Sequence, residues 1–118
     1  MLNQSSPTIF PAAIAAGAAL TGQINLGVET LHGILIPSNW TAAGLTFQVS
    51  IDGGATFYEM NDVTGAAVTM TVAEGTYVAV DPTLWRAVNC FKIRSGTLGS
   101  PVDQVSAVTL NLVAGPVV

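Results

Sequence analysis

Cys90 and His32 are the residues that nucleophilic catalysis would use first, and each is the only one of its type. A cysteine thiol becomes a catalytic nucleophile when a general base such as histidine lies beside it. Cys90 lies between Val88 and Phe91 in a short apolar run, which is typical of a buried strand where cysteine acts as a small hydrophobe. The motifs HExxH, CxxC and GxSxG do not occur in the sequence. We therefore predict no catalytic residue and no enzymatic activity.

Carboxylates could serve a glycosidase or a metal site, and the chain has seven of them. Glycoside hydrolysis needs two carboxyl groups across a cleft, and calcium needs several oxygen ligands gathered in one loop. Most of these acids instead fall singly in predicted turns, where they are ordinary turn and capping residues. The sequence therefore predicts no metal site and no cofactor. The acids are Glu29, Asp52, Glu59, Asp62, Glu74, Asp81 and Asp103.

The most ordered local motif is the run SIDGGATF at residues 50–57. It resembles the Asp-box, a Ser-x-Asp-x-Gly-x-Thr-aromatic hairpin of sialidases and of many unrelated β-proteins. An aspartate in a turn accepts hydrogen bonds from backbone N–H groups a few residues on, and the glycines supply positive φ. Sialidase-like propellers carry several copies, whereas this chain has one. We therefore interpret it as a structural turn formed by Ser50, Asp52, Gly54, Thr56 and Phe57.

Four aromatic residues, Trp40, Tyr58, Tyr77 and Trp85, could form an exposed platform that stacks against a sugar. Many β-sandwich carbohydrate-binding modules use such a platform. The other interpretation is that Trp40 and Trp85 each cover one end of the core, next to the loops in which they lie. We favour this second interpretation and keep Trp40 and Trp85 as the ligand platform of an alternative function.

The composition is poor in charge. Only 8% of the 118 residues are charged and half are apolar, whereas a typical soluble domain has about 25% charged residues. We therefore expect part of the surface to be covered by other subunits or by another protein. The net charge is −4, and the cations are Arg86, Lys92 and Arg94. Three cations are too few to neutralise phosphates, which argues against nucleic-acid and anionic-membrane partners.

Targeting and membrane signals are also missing from the sequence. A signal peptide begins with basic residues, and no lysine or arginine precedes Arg86. The apolar stretch at residues 9–20 is interrupted by Pro11 and Gly17. It is shorter than the roughly 20 apolar residues that cross a bilayer. We therefore expect no membrane-spanning segment.

The elements that must position these residues are short strands. The run LTFQVSID at residues 45–52 alternates apolar and polar residues, which places Leu45, Phe47, Val49 and Ile51 on one face of a strand. A turn follows, and residues 56–60 return as the hairpin partner. Residues 8–10 and 12–14 are predicted to form an extended arm or edge strand, since proline is tolerated there. Further strands are predicted at residues 20–26, 31–36, 68–72, 76–80, 90–94 and 107–113, with one short helical turn at 81–85.

Eight or nine short strands with no long helix indicate an all-β fold. We predict an antiparallel β-sandwich that resembles a jelly roll. Residues 1–7 carry no hydrophobic pattern and are predicted to be a flexible N-terminal tail. Residues 8–118 are predicted to form a single β-sandwich domain.

Several longer segments carry a resemblance to a known group of proteins. They are GILIP at 33–37, WTAAGLTFQVSIDGG at 40–54, AVDP at 79–82, IRSGT at 93–97, PVDQ at 101–104 and TLNL at 109–112. Together they resemble small structural proteins from the head-and-tail modules of tailed bacteriophages and prophages. The resemblance covers most of the chain and includes no catalytic motif, so it implies a setting, the virion, more firmly than a role.

Within that setting, a charge-poor β-domain resembles a capsid decoration or cement protein. The resemblance implies binding to the major capsid protein lattice, assembly as a homo-oligomer with a trimer favoured, and synthesis in the host cytoplasm followed by residence on the capsid surface. Ile9, Phe10 and Ile14, in the apolar stretch after the tail, are the predicted lattice contacts. The alternative is a carbohydrate- or host-binding module of a phage tail or base plate.

Overall fold

The computed structural model describes residues 7–116, and in this part of the chain every regular element is a β-strand. The prediction of an all-β fold with eight or nine short strands is confirmed, with eight. The predicted N-terminal tail lies outside the described residues apart from Pro7. The strands are β1 (Thr8–Ile14), β2 (Ile24–Asn25), β3 (Thr30–Leu35), β4 (Leu45–Val49), β5 (Tyr58–Glu59), β6 (Tyr77–Ala79), β7 (Cys90–Ser95) and β8 (Val108–Gly115).

The strands form two four-stranded antiparallel sheets. The first sheet has the order β1-β8-β3-β6 and the second sheet has the order β2-β7-β4-β5. The first strand thus pairs with the last, β2 with β7, β3 with β6, and β4 with β5. The chain is one long antiparallel hairpin that is rolled up and closed by two further pairings, β3 with β8 and β4 with β7. This strand order is that of an eight-stranded jelly roll, as predicted.

Alternating side chains of the two sheets build a single core between them. On β8, Val108, Leu110 and Leu112 face inward and are almost fully buried, whereas Thr109 faces solvent. On the second sheet, Phe47 and Phe91 point into the same space. This period of two is the arrangement expected of a sheet that is buried on one side.

One end of the core is filled from a loop, by Trp85. Its ring lies edge-on to Phe47, with centroids 4.8 Å apart, and 5.1 Å from the centroid of Phe91. The short helical turn predicted for this segment is a series of turns at residues 82–87, begun where the Thr83 N–H donates to the Asp81 carboxylate (3.0 Å). Among the described residues no helix is long and apolar enough to cross a membrane.

Two strand predictions are corrected by the structure. Strand β4 ends at Val49, so Ile51 leaves the predicted inward face and is 88% exposed at the tip of the following turn. The segment at residues 68–72 makes a single bridge to β4, between Met70 and Leu45. It forms no strand because Met60 already binds the next position of β4, donating its N–H to the Phe47 carbonyl (2.9 Å).

The predicted strand at residues 20–26 is also shorter than expected. Only Ile24 and Asn25 are paired as a strand, with Phe91 and Cys90 on β7. Before them, Thr21 bonds to Ile93 through its backbone N–H (2.9 Å) and its hydroxyl. The side chain thus substitutes for part of the ladder, which is a local competition typical of threonine.

Candidate interaction surface

The two residues considered first for catalysis lie in different sheets. Cys90 begins β7 of the second sheet and is buried, whereas His32 lies on β3 of the first sheet. The His32 Nε2 atom is 3.0 Å from the Pro116 carbonyl oxygen. Within residues 7–116, Cys90 and His32 share no hydrogen bond. Nor do the described residues include a group of three or more His, Cys, Asp or Glu side chains that could hold a metal ion.

The Asp-box-like residues form a turn that is closed on itself. The Ser50 hydroxyl donates to the Asp52 carboxylate (2.7 Å) and accepts the Gly54 N–H (2.9 Å), while the Thr56 N–H donates to the same carboxylate oxygen (2.9 Å). These donors, that of Ser50 first, lower the pKa of Asp52. Because the carboxylate is engaged within the turn, its evident role is to hold the β4–β5 hairpin.

The aromatic platform is corrected by the structure. Trp85 is completely buried and Trp40 is only 5% exposed, with its indole N–H donating to the Ala43 carbonyl (3.2 Å). Neither ring can offer a face to a sugar, because both fill the core or its margin. The exposed Tyr58 and Tyr77 lie on strands of different sheets and cannot replace them. Trp40 does border a shallow depression of about 210 Å³, with Ala42, Val72, Ala73 and Glu74.

The outer side of the second sheet carries an internally paired polar cluster. Arg94, only 6% exposed, donates two bonds of 2.7 Å to the Glu59 carboxylate and one of 3.1 Å to the Thr46 hydroxyl. The Gln48 amide donates to the same carboxylate (3.1 Å). The Arg94 guanidinium therefore lowers the pKa of Glu59, and the carboxylate raises the pKa of Arg94. The alternation of β7 places Lys92 and Arg94 on one face, but no local pattern in the sequence predicts this ion pair.

The outer side of the first sheet is different, and we call it the neutral face. Strand registers arrange ten of its outward positions in three rows, and His32 lies beside the first row, at the β3 bulge, with its ring against Gly115. Across the sheet, the first row is Ile9, Val113, Gly33 and Ala79; the second is Pro11, Asn111, Leu35 and Tyr77; the third is Ala13 and Thr109. None of the residues in these rows is charged, and the large apolar ones are partly exposed: Ile9 is 50%, Leu35 43% and Tyr77 53% exposed.

All the charged side chains lie elsewhere. Six of the seven acids are in connections between strands, and Glu59 is on β5 of the second sheet. Of the cations, Lys92 and Arg94 are on β7 of the second sheet and Arg86 is in the β6–β7 connection. In an antiparallel sheet with one face in water, the residues on that face are usually polar. The neutral face departs from this pattern, because its large side chains are apolar and exposed.

Tyr77 is held in place on this face by a glycine. A Cβ atom at Gly33 would overlap the Tyr77 phenol, which shows that the ring lies down across the sheet onto the glycine. A ring that is already packed against the backbone loses little rotamer freedom when a partner covers it. No local pattern in the sequence predicts this contact, because Gly33 and Tyr77 are 44 positions apart and meet through the β3–β6 pairing.

The predicted lattice contacts divide between the two sides of β1. Ile9 lies on the neutral face, Phe10 faces inward and is half-buried, and Ile14 is completely buried. Ile14 is therefore removed from the contact residues, because β1 is a paired strand whose even-numbered residues enter the core. Position Pro11 on this edge strand has no N–H to offer to an added strand, which protects the edge from backbone pairing.

The comparisons with known proteins add no further likeness to this geometry. No family model matches the chain, and neither a curated protein nor a solved structure does. The neutral face, described from its own residues, is the candidate functional site.

Proposed function

We propose that this chain is a bacteriophage virion structural protein that decorates or cements the capsid by binding the major capsid protein lattice. The observation that carries the proposal is the neutral face, a whole outer sheet surface without charge in a chain that has few charges to begin with. The proposed location is the capsid surface, and the proposed partners are the lattice and other copies of the chain.

An exposed apolar surface is stabilised when a partner covers it and removes it from water. Covering apolar surface releases about 25 cal/mol per Å², so a face bearing Ile9, Leu35 and Tyr77 gains by being covered. A capsid presents the same contact many times, and a modest gain at each site adds up over the shell. Charges would instead have to be desolvated or paired at every site.

The fold is compatible with this role and also with the alternative. Jelly rolls occur in viral capsid and in lectin domains, so fold alone decides nothing about function. The resemblance of the sequence to phage head-and-tail proteins supports the virion. The carbohydrate-binding alternative has lost its predicted platform, because Trp40 and Trp85 are buried.

Cryo-electron microscopy of particles made by the encoding genome tests the proposal directly. The expected result is density for an eight-stranded jelly roll on the outside of the head, repeated with the symmetry of the shell. Density for this chain in the tail or base plate would assign it to the alternative role. Its absence from purified particles would refute a virion function altogether.

A further inference from the structure

The charge distribution of the chain restricts which surface can cover the neutral face. The protein carries seven acids against three cations. Of the cations, Arg94 forms a salt bridge with Glu59, and the Lys92 ammonium lies 4.4 Å from the centre of the Phe57 ring. The chain therefore has little positive charge with which to meet its own acidic surface.

This imbalance favours different surfaces for different partners. A basic partner would bind best where the acids of the strand connections supply electrostatic complementarity. The neutral face has no acid to offer to such a partner. Against another copy of this chain, the seven acids outnumber the three cations and repel on balance, and outside the Glu59 pair the positively charged side chains are Lys92 and the exposed Arg86. Contact between copies is therefore least costly through a surface without charge, and among residues 7–116 the neutral face is the sheet surface that meets this condition.

We propose that the neutral face, centred on Leu35 and Tyr77, is where a second copy of this chain packs. Two such faces bring apolar rows together while every acid stays in the strand connections or on the opposite sheet. Tyr77 is suited to anchor the contact, because its ring is already ordered on Gly33 and tyrosine is enriched among the residues that dominate interfaces. This inference rests on the proposed function, whose partners include other copies of the chain, and it names the surface through which those copies meet.

The size of the face sets the expected strength. Four strands about 4.8 Å apart and three rows along them cover roughly 350 Å² of sheet, whereas a standard interface buries about 800 Å² on each partner. The association is therefore weak and concentration-dependent in solution. The faces stay paired only where copies are held close together at high local concentration, as on a shell.

Sedimentation velocity of the full chain, from about 5 to about 500 µM, tests the inference with four variants. Leu35→Lys and Thr109→Lys place an ammonium on the neutral face, and both positions are exposed, so folding is preserved. Val28→Lys and Val63→Lys add the same charge at loop tips that are 97% and 100% exposed. We expect self-association of the wild type, a dissociation constant raised at least about tenfold by each face variant, and little change from the loop-tip variants.

Two outcomes would overturn the inference. One is a wild-type chain that stays monomeric over the whole range, and the other is an oligomer that Leu35→Lys and Thr109→Lys leave intact. If the chain is monomeric and these face variants instead weaken its binding to purified shells, the neutral face contacts the lattice. In that case the self-association inference fails while the proposed function stands.

Discussion

The Arg94 guanidinium and the Glu59 carboxylate face each other in a bidentate pair, with both N–H···O distances at 2.7 Å. Arg94 is 6% exposed, so the Glu59 carboxylate compensates for the burial of its positive charge. Such paired geometry is stronger and more directional than a single contact between point charges. It ties β7 to β5 across β4, and so links three strands of the second sheet.

Replacing Glu59 by Gln leaves the buried guanidinium without its counter-charge. We expect a loss of about 1–3 kcal/mol in the free energy of unfolding, since an unpaired buried polar group pays its desolvation cost. Urea denaturation followed by circular dichroism measures the effect. Glu74→Gln is the matched control, because Glu74 is exposed in a loop and surface substitutions usually change stability by less than about 0.5 kcal/mol. Equal effects of the two substitutions would contradict the structural role of the pair.

Acid pH should weaken the fold through three carboxylates. Hydrogen bonds from Ser50, Arg94 and Thr64 lower the pKa values of Asp52, Glu59 and Asp62 respectively. A carboxylate with a lowered pKa in the folded state contributes stability that is present above its unfolded pKa and is lost as the pH falls through the folded value.

The expected result is a thermal midpoint that falls once the pH drops below the ordinary glutamate and aspartate values of 4.5 and 3.8. Differential scanning calorimetry between neutral and acid pH would record it. The Glu59→Gln variant should lose less stability than the wild type over the acid interval, because one of the three titrations is gone. A midpoint that rises on acidification would show the sign to be wrong.

A methyl group at position 33 should disturb the neutral face from beneath. In Gly33→Ala, the new Cβ takes space that the Tyr77 ring occupies, so the ring must lift away from the sheet. The overlapping atoms are the far end of an exposed side chain, which can swing aside, so we expect a cost of no more than about 1 kcal/mol, because alanine also lowers the entropy of the unfolded chain relative to glycine. The cost should shrink in a Tyr77→Ala background, and a double-mutant cycle measures this coupling. Gly99→Ala is the control, since a Cβ there meets nothing within 4 Å.

Trp85 should be more tolerant of phenylalanine than its size suggests. Its indole N–H is buried and has no hydrogen-bond partner among the described residues. Trp85→Phe removes this unsatisfied donor while a ring still contacts Phe47 and Phe91, whereas Trp85→Ala opens a cavity and costs about 3–5 kcal/mol. We expect Trp85→Phe to cost about half of that or less. Guanidinium denaturation compares the two variants. Both lack the indole N–H, so the difference between them measures the ring contacts with Phe47 and Phe91, and equal losses would contradict a role for those contacts.

Local patterns predicted the parts of the fold that depend on neighbours in the sequence. The alternation in residues 45–49 and the turn chemistry of Ser50 and Asp52 produce a hairpin whose strands are separated by eight residues in the sequence. The alternation at residues 68–72 is just as regular, but it forms no strand. A strand needs a free partner edge as well as a pattern, and here Met60 binds β4 first.

The candidate site was less accessible from the sequence. Ile9 was singled out, but Leu35 was not, and Tyr77 was considered only as part of a sugar platform. These residues come together through the pairings β1–β8, β8–β3 and β3–β6, which join segments far apart in the chain. The period of two shows that alternate residues share a face, but it does not show which strands lie side by side.

The sequence by itself determined an all-β chain of short strands, a self-contained turn at residues 50–57 and a low content of charged residues. Each of these follows from local propensity or from composition. The tertiary structure alone decided that the charges lie in the strand connections and on the second sheet, so that the first sheet keeps a face without any. The reason is physical: which side chains share a surface depends on the order and register of strands, and long-range backbone pairing sets both.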